Sequence, residues 1–190
     1  MSFTAHKFHG PKGVGGYYLR RGTRIKKLLV GGGQEWGLRA GTENPAGIIG
    51  MGEAARQAHL YLDSGSTKVK DLRDHLESEI SKLVHEVIVN GREQARVANT
   101  SSISFKGASG EAMLQILDEF GIACSTSSAC HSNDQNPSHV LKAMNIPEHY
   151  MRGTVRISLS RFTTKSEIDH FLASIAKVVE ISRRTFKAVE

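Results

Sequence analysis

Few cysteines, no long apolar run and no apolar start: each shortage closes off a class. Cys124 and Cys130 are the only thiols among 190 residues. Two neighbouring thiols in a chain of this length do not make a secreted disulfide scaffold. No stretch approaches the ~18 consecutive apolar residues of a membrane span. The N-terminus lacks an apolar signal core, which argues against export. A reducing, cytoplasmic compartment is therefore expected, with no membrane partner. Internal repeats and low-complexity tracts are absent too.

What is present fits an ordinary globular protein, with 39% hydrophobic and 23% charged residues. The net charge of +6 is spread along the chain. Only Arg20–Lys27 is dense, with five basic residues in eight positions. Spread basic charge reads as a solvated surface, so no direct nucleic-acid partner is expected.

Two extended pieces open the chain, at 14–20 and 25–30, and a glycine-rich loop runs from Gly31 to Gly41. A helix then starts at Asn44, a good cap, with Pro45 in the first helical position. Its apolar residues, Ile48 to Ala58, keep helical spacing to about Leu62. Asp63-Ser64-Gly65-Ser66 is the best linker candidate. Beyond it, Val69, Leu72, Leu76, Ile80 and Leu83 form one stripe of a helix over 67–85. Strands are expected at 86–90, 101–105, 122–125 and 154–159. Helices are expected at 110–120, 137–144 and 164–184, the last opened by Thr164 and Glu167 as a capping box. Strands alternating with helices across short connections make a small α+β or α/β unit from residue 66 onward. The piece before it holds two short strands and one helix, too little to bury much surface alone.

Four segments carry chemistry. Lys7 lies in Thr4-Ala5-His6-Lys7-Phe8-His9-Gly10-Pro11-Lys12-Gly13. An imine-forming lysine must lose its proton near neutral pH, and Thr4 and His6 supply hydrogen-bonding groups suited to a phosphate. A surface lysine beside a turn is the plainer alternative. In Gly31-Gly32-Gly33-Gln34-Glu35-Trp36-Gly37-Leu38-Arg39-Ala40-Gly41-Thr42, a flexible loop feeds a helix N-terminus. Such an end suits a phosphate, and Thr42 adds a hydroxyl; a simple helix cap is the alternative. Cys130 lies in the polar run Cys124-Ser125-Thr126-Ser127-Ser128-Ala129-Cys130-His131-Ser132, where His131 and the serines can support a thiolate. An inert loop thiol is the alternative. A zinc site from Cys124, Cys130 and His131 lacks paired spacing and a fourth ligand, so no metal is expected. A Cys-His hydrolase needs a base that the adjacent His131 does not supply. Arg156, inside the apolar-patterned Thr154–Leu159, faces solvent, pairs with a carboxylate or binds a ligand bidentately.

Taken in order, the lysine motif, the GGGQE…RAGT loop and the SSAC loop resemble cysteine desulfurases and selenocysteine lyases. These are pyridoxal-5'-phosphate (PLP) enzymes of the class V aminotransferase type, and the resemblance covers essentially the whole chain. It implies an α/β fold, the fold-type-I PLP-dependent transferase. Residues 1–62 would be the end of the large PLP domain, and residues 63–190 the complete small domain. Lys7 would be the Schiff-base lysine and proton carrier, with Thr4 and His6 on the cofactor phosphate. Thr42 would reach the phosphate in the partner subunit of a homodimer. Cys130 would take sulfur from L-cysteine as a persulfide, leaving L-alanine, and pass it to acceptor or scaffold proteins such as those of iron–sulfur cluster assembly. Arg156 would clamp the substrate carboxylate. Cys130-His131-Ser132 is also reminiscent of selenocysteine lyases, so L-selenocysteine stays open as substrate. Trp36 departs from the basic residue that relatives commonly carry. The histidine and aspartate that such enzymes place around the pyridine ring have no match here. The chain is thus expected to be a C-terminal half, and a non-catalytic module that docks sulfur acceptors is the alternative from another class.

Overall fold

The computed structural model describes residues 1–126 and 138–187. It divides into two compact units, Met1–Ser64 and Gly65–Glu190.

In the first unit, β1 (Ser2–Thr4) pairs antiparallel with β2 (Gly15–Tyr17), Thr4 opposite Gly15. A single 3-10 turn, Ala5–Phe8, follows β1. It is tied down by Ala5 N–H donating to Val14 O at 3.0 Å and Gly10 N–H donating to Ala5 O at 2.8 Å. Ala5 is fully buried. A Cβ on Gly10 would stand 2.8 Å from Ala5 Cβ and 3.1 Å from Ala54 Cβ, so the chain passes there only as glycine. The stretch expected to be extended at 25–30 forms no strand: its residues are all exposed and meet no partner strand among the described residues. A short 3-10 turn, Glu35–Gly37, interrupts the glycine-rich loop, and Glu35 and Trp36 both take left-handed backbone angles there.

Helix α1 runs from Pro45 to Leu83. Asn44 Oδ1 accepts from Gly47 N–H at 3.1 Å, the expected cap. The expected linker at 63–66 is helical, so two anticipated helices are one. One glycine inside a helix costs only about 1 kcal/mol. Breaking the helix would instead create two new ends, each leaving four backbone groups without intrahelical partners.

The second unit is built on an antiparallel sheet of order β3 (Val87–Val89), β4 (Thr100–Phe105), β6 (Thr154–Ser158), β5 (Ser125–Thr126). One face carries Ser101, Ile103, Phe105, Val155 and Ile157, all buried. They join Leu76 and Ile80 of α1, Met113 and Leu117 of α2 (Gly110–Glu119), and Ile168, Phe171, Ile175, Val178 and Val179 of α5 (Lys165–Lys187). Each fully buried side chain of this kind contributes about 1.5–3 kcal/mol. The capping box forms at α5: Thr164 N–H donates to Glu167 Oε2 at 2.7 Å, and Glu167 N–H to Thr164 Oγ1 at 3.3 Å. Helices α3 (His139–Ala143) and α4 (Glu148–Met151) precede β6; the second, opened by Pro147, has no apolar period long enough to announce it. Gly153 then lets β6 start against β4, since a Cβ there would lie 2.0 Å from Phe105 O.

One polar cluster lies inside this core. Glu77 of α1 is 1% exposed. Arg96 donates to both its oxygens at 2.6 Å, Ser101 Oγ donates at 2.7 Å, and Arg73 Nε lies 4.0 Å away. Arg73 also donates to Val97 O at 2.8 Å, so the cluster ties the loop between β3 and β4 to α1. Among the described residues, no helix is long and apolar enough to cross a membrane.

Candidate functional site

The strand-to-turn junction after β1 places three of the expected site residues within four positions. Thr4, half-buried at the strand end, has its hydroxyl 3.0 Å from His6 Nδ1 and 3.3 Å from Val14 O, to which it donates. With that proton on Val14 O, the Thr4 hydroxyl accepts from His6 Nδ1–H. Lys7 is exposed on the same turn and makes no ion pair with any described residue. The donor set here is one amine, one hydroxyl and one imidazole on a backbone pinned by buried Ala5. It fits a phosphorylated aldehyde cofactor: the amine suits the carbonyl and the other two suit the phosphate.

Thr42 is exposed in the irregular loop before α1. Nearby, Gly41 N–H donates to Gln34 Oε1 at 3.3 Å, closing the loop on itself. The basic run Arg20–Lys27 is irregular and exposed throughout.

In the second unit, Arg156 is half-buried in the middle of β6. The register sets it opposite Ser102 on β4 and Ser125 on β5. It makes no hydrogen bond or ion pair with any described residue, so no described carboxylate pairs with it. Cys130 and His131 lie outside the described residues. Cys124 is half-buried, and burial pushes its thiol up to about 11, which keeps it a neutral thiol near pH 7. No group of three or more His, Cys, Asp or Glu suited to a metal occurs among the described residues.

The sequence showed Lys7, Thr4 and His6 as neighbours, and the fold brings them onto one turn. It did not show the serines beside Arg156 or the Glu77 cluster. The alternation Thr100-Ser101-Ser102-Ile103-Ser104 was the available signal, since every second residue of a strand shares a face.

Such a lysine turn, with an arginine-bearing antiparallel sheet in a second unit, defines a class. The chain belongs to the aminotransferase class-V family, which its residues 1–171 match. Among particular relatives, it is 49% identical over 180 residues to a cysteine desulfurase of Klebsiella pneumoniae and 49% over 179 residues to the cysteine desulfurase NifS of Azotobacter vinelandii. Those matches take in 95% and 94% of this chain but 45% and 44% of the relatives, so the chain spans a little under half their length. A solved NifS-like protein matches with a TM-score of 0.82 at 37% identity, over 95% of this chain and 46% of that one. SspA, solved in complex with cysteine, matches with a TM-score of 0.60 at 28% identity, over 86% and 44%. The mixed α/β fold is that of these NifS-like structures.

Proposed function

We propose that the chain supplies part of a PLP-dependent cysteine desulfurase. On this reading residues 1–62 belong to the cofactor-binding large domain and 63–190 form the small domain. The observation that carries it is the Lys7 turn, with its free amine one residue from the Thr4–His6 pair; the desulfurase relatives support it.

Each residue then has a task. Lys7 Nζ holds the cofactor and moves a proton at the substrate Cα. Thr4 and His6 bind the phosphate, and Thr42 serves the phosphate in the second subunit of a homodimer. Arg156 orients L-cysteine through its carboxylate, as a structural relative that binds cysteine makes reasonable. The cofactor, when bound, supplies the electron sink that loosens bonds at the substrate Cα and Cβ. Cys130 Sγ takes the sulfur: the substrate Cβ–S bond breaks and an S–S bond forms. Overall, L-cysteine and a Cys130 thiol become L-alanine and a Cys130 persulfide. The persulfide then passes to an acceptor thiol, for which iron–sulfur cluster assembly is the expected use. Two cysteines in a chain of 190 residues suit a reducing cytosol.

The test adds L-cysteine and PLP to the chain, alone and with a separately expressed polypeptide covering the remainder of the Klebsiella relative. Alanine is expected with the complement, and borohydride is expected to fix PLP on Lys7 as a mass increment. Absence of both products in both mixtures would sink the proposal. Running L-selenocysteine beside L-cysteine ranks the two substrates. A persulfide on Cys130 supplied by another protein, with no PLP on Lys7, would favour the docking-module reading.

A further inference from the structure

The sheet face opposite the Glu77 cluster is lined with hydroxyls: Thr100, Ser102 and Ser104 on β4, Thr154 and Ser158 on β6, and Ser125 on β5. The register gathers a row Ser102–Arg156–Ser125 across three strands. Residues directly opposite in antiparallel strands carry their side chains on one face, with Cβ atoms about 4.5–5.5 Å apart. Both serines therefore stand beside the Arg156 stem.

Asn90 makes the two serines unlike. It follows β3, is 6% exposed, and is anchored by its own N–H donating to Ser102 O at 2.8 Å. Its side-chain Nδ2 donates to Ser102 Oγ at 3.1 Å and to Ser104 Oγ at 2.8 Å. Ser104 Oγ lies 2.7 Å from Thr154 Oγ1, and Thr154 Oγ1 donates to Tyr150 O at 3.4 Å. A hydroxyl has one proton, so Thr154 accepts from Ser104, and the chain runs in one direction: Asn90, Ser104, Thr154, Tyr150. Ser104 is thereby fully used.

Ser102 is not. It accepts from Asn90, and its own proton has no acceptor among the described residues. Turning the Asn90 amide over would draw both serine protons onto Oδ1. Ser104 would then have to accept from Thr154, Tyr150 O would lose its donor, and a two-proton amide would be buried with nothing to receive it. The observed orientation leaves Asn90 Oδ1 unpaired, the lesser cost for a buried carbonyl, and the Ser102 proton unclaimed among the described residues. The unused O–H of Ser102 thus stands beside a guanidinium that has no partner among the described residues. Donors without acceptors call for an anion. A carboxylate fits: it accepts two parallel bonds from arginine and has lone pairs left for a hydroxyl.

We propose that Ser102 is a second carboxylate-binding residue beside Arg156, its hydroxyl turned outward by the Asn90 amide. This rests on Arg156 being the carboxylate clamp and adds the residues that complete it. Ser125, on the other side of Arg156, receives no such amide bond and serves as the internal control.

The experiment titrates the chain itself, without PLP or a complementing polypeptide, with propionate, following the Arg156 Nε–H signal by nitrogen-15 NMR. The signal of the unsubstituted chain is expected to shift and saturate in the millimolar range. Ser102→Ala should weaken binding by about 3- to 10-fold, the size of one net hydrogen bond to a charged group. Ser125→Ala should weaken it by less than about 2-fold on the same scale. Asn90→Asp turns the donors into acceptors that capture the Ser102 proton, so it should match Ser102→Ala although Ser102 remains. A change of mere packing would not reproduce that equality. If Asn90→Asp fails to fold, Ser102→Ala decides alone, with its melting curve as the check on folding. Propionate binding unchanged in a folded Ser102→Ala chain overturns the proposal. So does an Arg156 signal that does not move, or a shift that survives in Arg156→Ala. A failed desulfurase assay leaves this result standing, and a failed titration leaves the cofactor chemistry of Lys7 untouched.

Discussion

The two units bury their apolar residues very differently. In Gly65–Glu190, helices and sheet enclose a full set of aliphatic and aromatic side chains, from Val69 to Val179. In Met1–Ser64, the buried apolar residues are Ala5 and Ala54, while Trp36 is 93% exposed, Leu28 92% and Val30 81%. A two-stranded sheet alone is marginal in water, and β1–β2 is held by three residue pairs. One unit carries its own core; the other spends its few contacts on fixing one turn, the one that bears Lys7. The Lys7 turn and the larger apolar core lie in different units, and substitutions can probe the two separately.

Glu77→Ala should give the largest effect, a loss of about 3–5 kcal/mol, because it removes the carboxylate that pairs Arg96 and accepts from Ser101 in a buried site, while Arg73 keeps Asp74. Urea unfolding followed by far-ultraviolet circular dichroism measures it; a loss below about 1 kcal/mol would remove the cluster from the core of the comparison.

Acid probes the same cluster. Burial by itself raises the Glu77 carboxyl, but hydrogen bonds from Arg96 and Ser101 and the charges of Arg96 and Arg73 outweigh it, so the group is held below its ordinary value of 4.5. A carboxyl lowered in the fold contributes stability that is present above the unfolded value and is lost as pH falls through the folded value. The urea midpoint should therefore drop as the pH falls below about 4.5, and Glu77→Gln should flatten that dependence.

Ile103→Ala, a cavity beneath the sheet, should cost about 2–5 kcal/mol, whereas Ile49→Ala, at an exposed position of α1, should stay within about 0.5 kcal/mol. Equal losses from the two would mean that Met1–Ser64 has a core after all. Thr164→Ala removes the α5 cap and should cost about 1 kcal/mol, read in the same titration.

Local signals were the legible part. Asn44 with Pro45, and Thr164 with Glu167, marked two helix starts to the residue, because a cap is satisfied by neighbours a few positions away. The stripe from Val69 to Ile80 was visible for the same reason, since its period is that of one helix. Leu83, placed on that stripe by spacing, is 48% exposed, and Val84 is buried instead. The break at 63–66 was misread because polar and glycine residues lower helix propensity only weakly, and the flanking turns override them. β1 went unseen: three residues have no period, and only their pairing with Gly15–Tyr17 makes them a strand.

By itself, then, the sequence set out the candidate residues and their order: Lys7 beside Thr4 and His6, then Thr42, Cys130 and Arg156. Those identities travel in short motifs that need no fold to be read. Tertiary structure decided which groups share a surface. It set Arg156 between Ser102 and Ser125, bonded one of those serines to Asn90, and closed the Lys7 turn on Ala5 and Gly10. Strand register and buried hydrogen bonds join residues far apart in the chain, and no local pattern records which of them will meet.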